Sequence, residues 1–172
     1  HRLRSVKHPI EIEVMQKACD ITKAGINRLL KFIKPGVWEH HIEAELAHEF
    51  LMNSSRGFAY TPIVASGKNA CVLHYIENNK ECFDGDVILL DVGAEYANYA
   101  SDLTRCIPVN GKFTPRQKDV YNAVLHVKTE AEKLLVPGTI MADYHRQVGL
   151  LMEEQLVKLN LITIDDIKNQ NP

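Results

Sequence analysis

Two aspartates near the middle of the chain carry the strongest chemical signal. The stretch from Asp86 to Ile107 holds two apolar, β-type runs around a short polar middle. Each run carries one aspartate, Asp91 and Asp102. A chain reversal near Tyr96 and Ala97, the midpoint of the two positions, sets Asp91 directly opposite Asp102. Directly opposed side chains share one face of a sheet, with Cβ atoms roughly 5 Å apart, and like charges so placed repel. Asp91 also follows Val87-Ile88-Leu89-Leu90 and precedes Val92-Gly93, where an unpaired carboxylate is costly to bury. A divalent cation offsets both costs, and two cations sharing a bridging carboxylate offset them further. Carboxylate oxygens suit hard or borderline ions such as Mn²⁺. The plain alternative is a solvated hairpin with aspartates at its turn edges.

His74 lies just upstream, in the apolar run Val72-Leu73-His74-Tyr75. A histidine in such a run is ordinarily a hydrogen-bonded core group; near a metal site it can also orient substrate or carry a proton. The other histidines are weaker candidates. His40, His41 and His48 fall on a predicted surface helix, and His126 and His145 on later helices, without metal-ligand spacing. Glu153 and Glu154 read as a solvated helix face, Arg105 as a structural ion-pair partner, and Lys112 and Arg116 as solvated.

Helices and short strands must position these groups. His8-Pro9 opens a long helix whose stripe runs through Ile10, Val14, Ala18, Ile21, Gly25, Leu29 and Ile33 until Lys34-Pro35-Gly36 stops it. A second helix is predicted from Trp38 to Met52, with Ile42, Leu46 and Phe50 on one side. Short strands follow at Phe58–Tyr60, Ile63–Ala65 and Val72–Ile76, ahead of the aspartate hairpin. Thr114-Pro115-Arg116-Gln117 has the form of a capping box opening a helix to about Leu135, through Val120, Val124, Val127 and Ala131. Another helix runs from about Met141 to Leu159, through Val148, Leu151, Met152 and Leu156. Residues 1–8 read as a linker or tag remnant, 9–164 as the folded part, and 165–172 as a polar tail. Leu30-Lys31-Phe32-Ile33-Lys34-Pro35-Gly36 parallels Glu132-Lys133-Leu134-Leu135-Val136-Pro137-Gly138. That parallel suggests a duplicated α/β unit whose second copy here lacks its sheet.

Composition narrows the function classes. At 172 residues with 45% hydrophobic content, one domain with a real core is affordable. A formal net charge of −2 gives no reason to propose nucleic acid or a membrane surface as partner. No apolar run approaches the ~20 residues of a membrane span. Cys19, Cys71, Cys82 and Cys106 show no Cys-x-x-Cys spacing, which points to reduced thiols and a cytoplasmic setting.

At these residues the chain resembles a known family. Tyr60 to Tyr75 is similar to the substrate-histidine segment of the aminopeptidase P and prolidase metallopeptidases (M24B). Leu90-Asp91-Val92-Gly93-Ala94-Glu95-Tyr96 and Ser101-Asp102-Leu103-Thr104-Arg105 resemble their first two metal-ligand motifs. The resemblance covers Arg4 to Leu161, and is nearer to Xaa-Pro aminopeptidase than to methionine aminopeptidase. It implies an α+β "pita-bread" fold, an antiparallel sheet covered by helices, of which this chain holds the first half and the leading helices of the second. It implies two divalent metals, commonly Mn²⁺, and a metal-bridging hydroxide that attacks the peptide bond before a proline. Carried over, Asp91 binds one metal, Asp102 bridges both, and His74 holds substrate or stabilises the transition state. The family's site has five ligands, and its later His and two Glu motifs are absent here. A fragment with no peptidase activity of its own, weak metal affinity and a tendency to self-associate is therefore expected. A peptide-binding module of the same fold, a creatinase-type relative and an Xaa-Pro dipeptidase remain alternatives.

Overall fold

The computed structural model describes residues 2–169. The chain divides into two compact units, one ending at Lys112 and the other beginning at Phe113.

The first unit is a small antiparallel sheet with two helices against it. Helix α1 (Arg2–Ser5) is a single turn within the segment expected to be a linker. Helix α2 (Pro9–Phe32) starts where Pro9 favours it, and the Glu11 side chain accepts a hydrogen bond of 2.7 Å from the His8 backbone N–H. Its buried side, Ala18, Ile21, Thr22, Gly25, Ile26 and Leu29, recurs at three and four residues, as an amphipathic helix requires. Helix α3 (Glu39–Met52) buries Ile42, Leu46 and Phe50. The two helices approach closely at Gly25, where an added Cβ would stand 2.8 Å from the Phe50 ring and 2.9 Å from Leu46.

Strands β1 (Ile63–Ser66), β2 (Val87–Val92) and β5 (Leu103–Pro108) form the sheet, with β2 in the centre. Along β2, Ile88, Leu90 and Val92 are fully buried and join Val64, Ile21, Leu29, Ile42, Leu46 and Phe50 in the core. Val87, Leu89 and Asp91 alternate to the other side and are only half-buried. The run around Asp91 is thus two-faced, and its carboxylate does not enter the core.

The hairpin closes through β3 (Glu95–Tyr96) and β4 (Tyr99–Ala100), with Ala97 and Asn98 both at positive φ, 50° and 66°. Two left-handed residues in a two-residue loop match the twist of paired strands. The reversal is centred between Ala97 and Asn98, one residue later than the midpoint expected from the aspartates. A one-residue move of the centre shifts the register by two. Asp91 therefore pairs with Thr104, not Asp102.

Two expected strands do not form. Phe58 makes a single bridge to Ala94. Residues 72–76 follow a 3-10 turn (Gly67–Cys71) and have no strand pairing, with His74 at φ 54°. The apolar residues there are not buried: Leu73 is 93% exposed, which removes the driving force for a core strand.

In the second unit, α4 (Pro115–Leu134) begins at Thr114, whose side chain accepts from the Gln117 N–H at 3.3 Å while Gln117 accepts from the Thr114 N–H at 2.8 Å. Ala123, Val127 and Ala131 are its buried residues, while Val124 on the expected stripe is exposed. Helix α5 (Met141–Lys158) packs along α4 and leaves Met152 exposed. Part of the expected polar tail is helical: α6 (Ile164–Lys168) is capped by Thr163, whose hydroxyl accepts from the Asp166 N–H at 3.1 Å. The last three residues of that tail lie outside the described residues.

Candidate metal centre

Asp91 and Asp102 converge on one phenol. The Tyr60 hydroxyl lies 2.7 Å from Asp91 Oδ1 and 3.1 Å from Asp102 Oδ1. Asp102 precedes Thr104 by two residues, so it stands diagonally from Asp91 on the same face of the hairpin. Asp91 is half-buried and Asp102 exposed.

A break in the ladder shapes this face. Regular pairing stops at Val92 with Leu103 and resumes at Glu95 with Ala100. Between them, the backbone of Ser101 crosses directly over Gly93: a Cβ on Gly93 would stand 1.8 Å from the Ser101 carbonyl oxygen and 3.0 Å from the Tyr60 ring. Only glycine tolerates that approach. The break is sealed by hydroxyls. Thr22 of α2 and Ser101 lie 2.6 Å apart, and the Ala94 N–H donates to both, at 2.8 and 3.0 Å. Ser101 also donates to the Ala94 carbonyl at 2.9 Å. Tyr60 is delivered by the neighbouring segment, where the Ala59 N–H donates to the Gly93 carbonyl at 2.8 Å.

Burial, and then the two carboxylates, push the Tyr60 phenol well above its ordinary range. It remains a proton donor and cannot serve as a base near neutrality. A phenol has one proton, so it fully serves only one carboxylate at a time.

The other candidates fall elsewhere. His74 is exposed on the turn after the 3-10 segment, not in a core strand. Arg105 pairs with Leu90 in the ladder, on the face away from Asp91; its guanidinium donates to the Thr104 carbonyl at 2.7 Å, and among the described residues it forms no ion pair of the kind expected. His40, His41, His48, His126, His145, Lys112 and Arg116 are exposed.

The sequence model of metallopeptidase family M24 matches residues 13–165. The chain belongs to that family. It is 41% identical to Xaa-Pro aminopeptidase of Escherichia coli (strain K12) over 99% of this chain and 39% of that protein. It is 40% identical to the Haemophilus influenzae Xaa-Pro aminopeptidase over 95% of this chain and 38% of that protein. Among solved structures, zinc-substituted E. coli aminopeptidase P in complex with product superposes with a TM-score of 0.90, at 42% identity, over 94% of this chain and 37% of that one. The chain thus spans about two fifths of the length of the curated relatives it matches. The fold is the leading portion of the aminopeptidase P pita-bread fold, as the resemblance implied.

M24 membership implies divalent metal ions. The two carboxylates fit a hard ion in kind. They fall short in number: among the described residues, no third His, Cys, Asp or Glu joins them in a group that could hold an ion. Sequence reasoning missed Tyr60 and Thr22. Tyr60 is the first residue of the histidine-containing segment, but its hydroxyl's reach to both aspartates depends on the register. Thr22 lay next to the predicted apolar stripe of α2 but not on it, and a lone threonine there carries no signal of a contact with the hairpin.

Proposed function

We propose that this chain contributes to a metallo-aminopeptidase that removes the N-terminal residue from peptides with proline second. The observation that carries the reading is the convergence of Asp91 and Asp102 on Tyr60, within a chain of the M24 family. Asp91 and Asp102 are two ligands of a divalent centre, Mn²⁺ being the ion we favour. Bound there, divalent ions supply Lewis-acid polarisation of water and of the peptide carbonyl. Tyr60 shares its one proton between the two carboxylates and stays protonated. His74, exposed on its turn, contacts the substrate or the developing charge. A five-ligand dinuclear site needs ligands beyond the two carboxylates, so the 172-residue chain alone has no peptidase activity. The four cysteines are free thiols, which supports a reducing, cytoplasmic setting.

The test is turnover of Xaa-Pro-Xaa and Xaa-Pro peptides by the full-length protein that contains this chain. Cleavage of the tripeptide, lost in Asp91→Asn and Asp102→Asn together with bound metal, supports the aminopeptidase. Cleavage of Xaa-Pro alone favours a dipeptidase. Peptide binding without turnover favours a binding module.

A further inference from the structure

Glu39 is the most deeply buried charge among the described residues of the first unit, and it is not at the candidate metal centre. Its side chain is fully buried at the first turn of α3, where the helix N-terminus favours a negative charge. Four donors from the segment between Ser66 and Lys80 converge on it. Oε1 accepts from the Ser66 N–H at 2.9 Å and from Asn69 Nδ2 at 3.0 Å. Oε2 accepts from the Tyr75 hydroxyl at 2.7 Å and from the Lys80 N–H at 3.0 Å. Asn69 also donates to the Tyr75 oxygen at 3.0 Å. One turn further along the same face of α3, Glu43 accepts from Asn78 Nδ2 at 2.9 Å, and Asn78 accepts from the Val64 N–H at 3.0 Å.

Two carboxylates of one helix thus hold a segment with little apolar burial of its own. Val72, Leu73 and Ile76 are exposed, and Tyr75 is the residue of the tip that is buried. His74 sits immediately before it at φ 54°, a left-handed conformation uncommon for non-glycine residues. Taking a carboxylate out of water is costly unless donors replace the lost hydration, and here four donors from one surface segment do so. Through its bond to Tyr75, Glu39 holds the residue next in chain to the candidate substrate histidine, which gives that anchoring a use.

We propose that Glu39 and Tyr75 are positioning residues for His74. The carboxylate fixes the phenol, the phenol fixes the adjoining peptide, and the imidazole leaves the chain in one direction. The inference rests on the reading of His74 as a group that contacts substrate.

A double-mutant cycle in the full-length protein tests it, with kcat and KM measured on an Xaa-Pro-Xaa peptide and folding followed by thermal melts. His74→Ala is expected to cost at least about a hundredfold in kcat/KM, and Tyr75→Phe about tenfold, mainly in kcat. In the His74→Ala background, Tyr75→Phe should change kcat/KM by less than about twofold, because its route to the chemistry is gone. Where Tyr75→Phe fails to fold, Asn69→Ala runs the same cycle, since it removes one donor from Glu39 and one from Tyr75 at a half-buried position. Additive losses overturn the inference. So does a lower melting temperature with wild-type kcat/KM, the signature of a purely structural contact. Full activity in His74→Ala overturns the underlying reading of that histidine, and the inference with it.

Discussion

Asp91 and Asp102 stand two residues out of register on one face of a hairpin, and both lean on the hydroxyl of Tyr60. The diagonal placement lets the side chains converge without forcing their Cβ atoms into direct opposition. The shared phenol offers two like charges one proton. Asp102 is exposed, so a cation would reach the pair from its side.

Tyr60→Phe should therefore unfold more easily. The substitution keeps the ring beside Gly93 and deletes only the donor. A hydrogen bond to a charged acceptor at a half-buried site is worth on the order of 1 kcal/mol, and the loss should appear as a lower urea midpoint with unchanged slope. An unchanged midpoint would show that the two carboxylates do not depend on the phenol.

Metal affinity of the 172-residue chain should be low. Two carboxylates without a third ligand give a dissociation constant for Mn²⁺ no tighter than about 0.1 mM, and Asp91→Asn or Asp102→Asn should abolish what binding there is. Isothermal titration calorimetry measures this directly. Tight, stoichiometric binding would mean that the pair suffices as a site.

Much of this was legible in the sequence, and the failures share a physical cause. Helices α2, α3, α4 and α5 follow from 3.6-residue periodicity, Pro at the first turn and Pro-Gly stops, all local signals. The aspartate hairpin was visible as two β-type runs. Its register was not, because the turn centre depends on which two residues accept positive φ, and Ala97 with Asn98 is a weaker signal than Asn-Gly. The segment around His74 misled because Val72, Leu73 and Ile76 look like core, whereas buried polar contacts from Glu39 and Asn78 hold the loop instead. Such long-range hydrogen bonds leave no periodic trace. Nor does the close approach at Gly93, which joins residues eight positions apart in chain.

Gly93→Ala should damage both the fold and the site. The added methyl would collide with backbone, the Ser101 carbonyl at 1.8 Å, rather than with a side chain that can swing away. Overpacking of this kind costs about 1–3 kcal/mol or more, and relief requires parting the strands between Asp91 and Asp102. Chemical denaturation should show the loss. In the full-length protein, metal content should fall as well, since the two proposed ligands flank the parted strands. A variant of wild-type stability would show that the crossing is looser than the backbone distance implies.

Raising the pH should weaken the first unit through Tyr75. Burial, followed by its hydrogen bond to Glu39, pushes the Tyr75 phenol up to about 12. In the unfolded chain it ionises near the ordinary tyrosine value of about 10. Between these values the unfolded state has released the proton and the folded state still holds it. The unfolded state then binds fewer protons, so unfolding free energy falls as pH rises. The contribution is complete below about pH 10 and is lost on passing about pH 12. Burial acts in the same direction on the Cys82 thiol, raised to about 11, and on Tyr60, so the wild-type decline is a composite. The difference between wild type and Tyr75→Phe isolates one part of it. Urea midpoints measured from pH 8 to pH 12 should start apart, with the variant less stable, and draw together as the pH rises. Parallel curves would mean that Tyr75 ionises alike in both states, and that the Glu39 contact does not hold its proton.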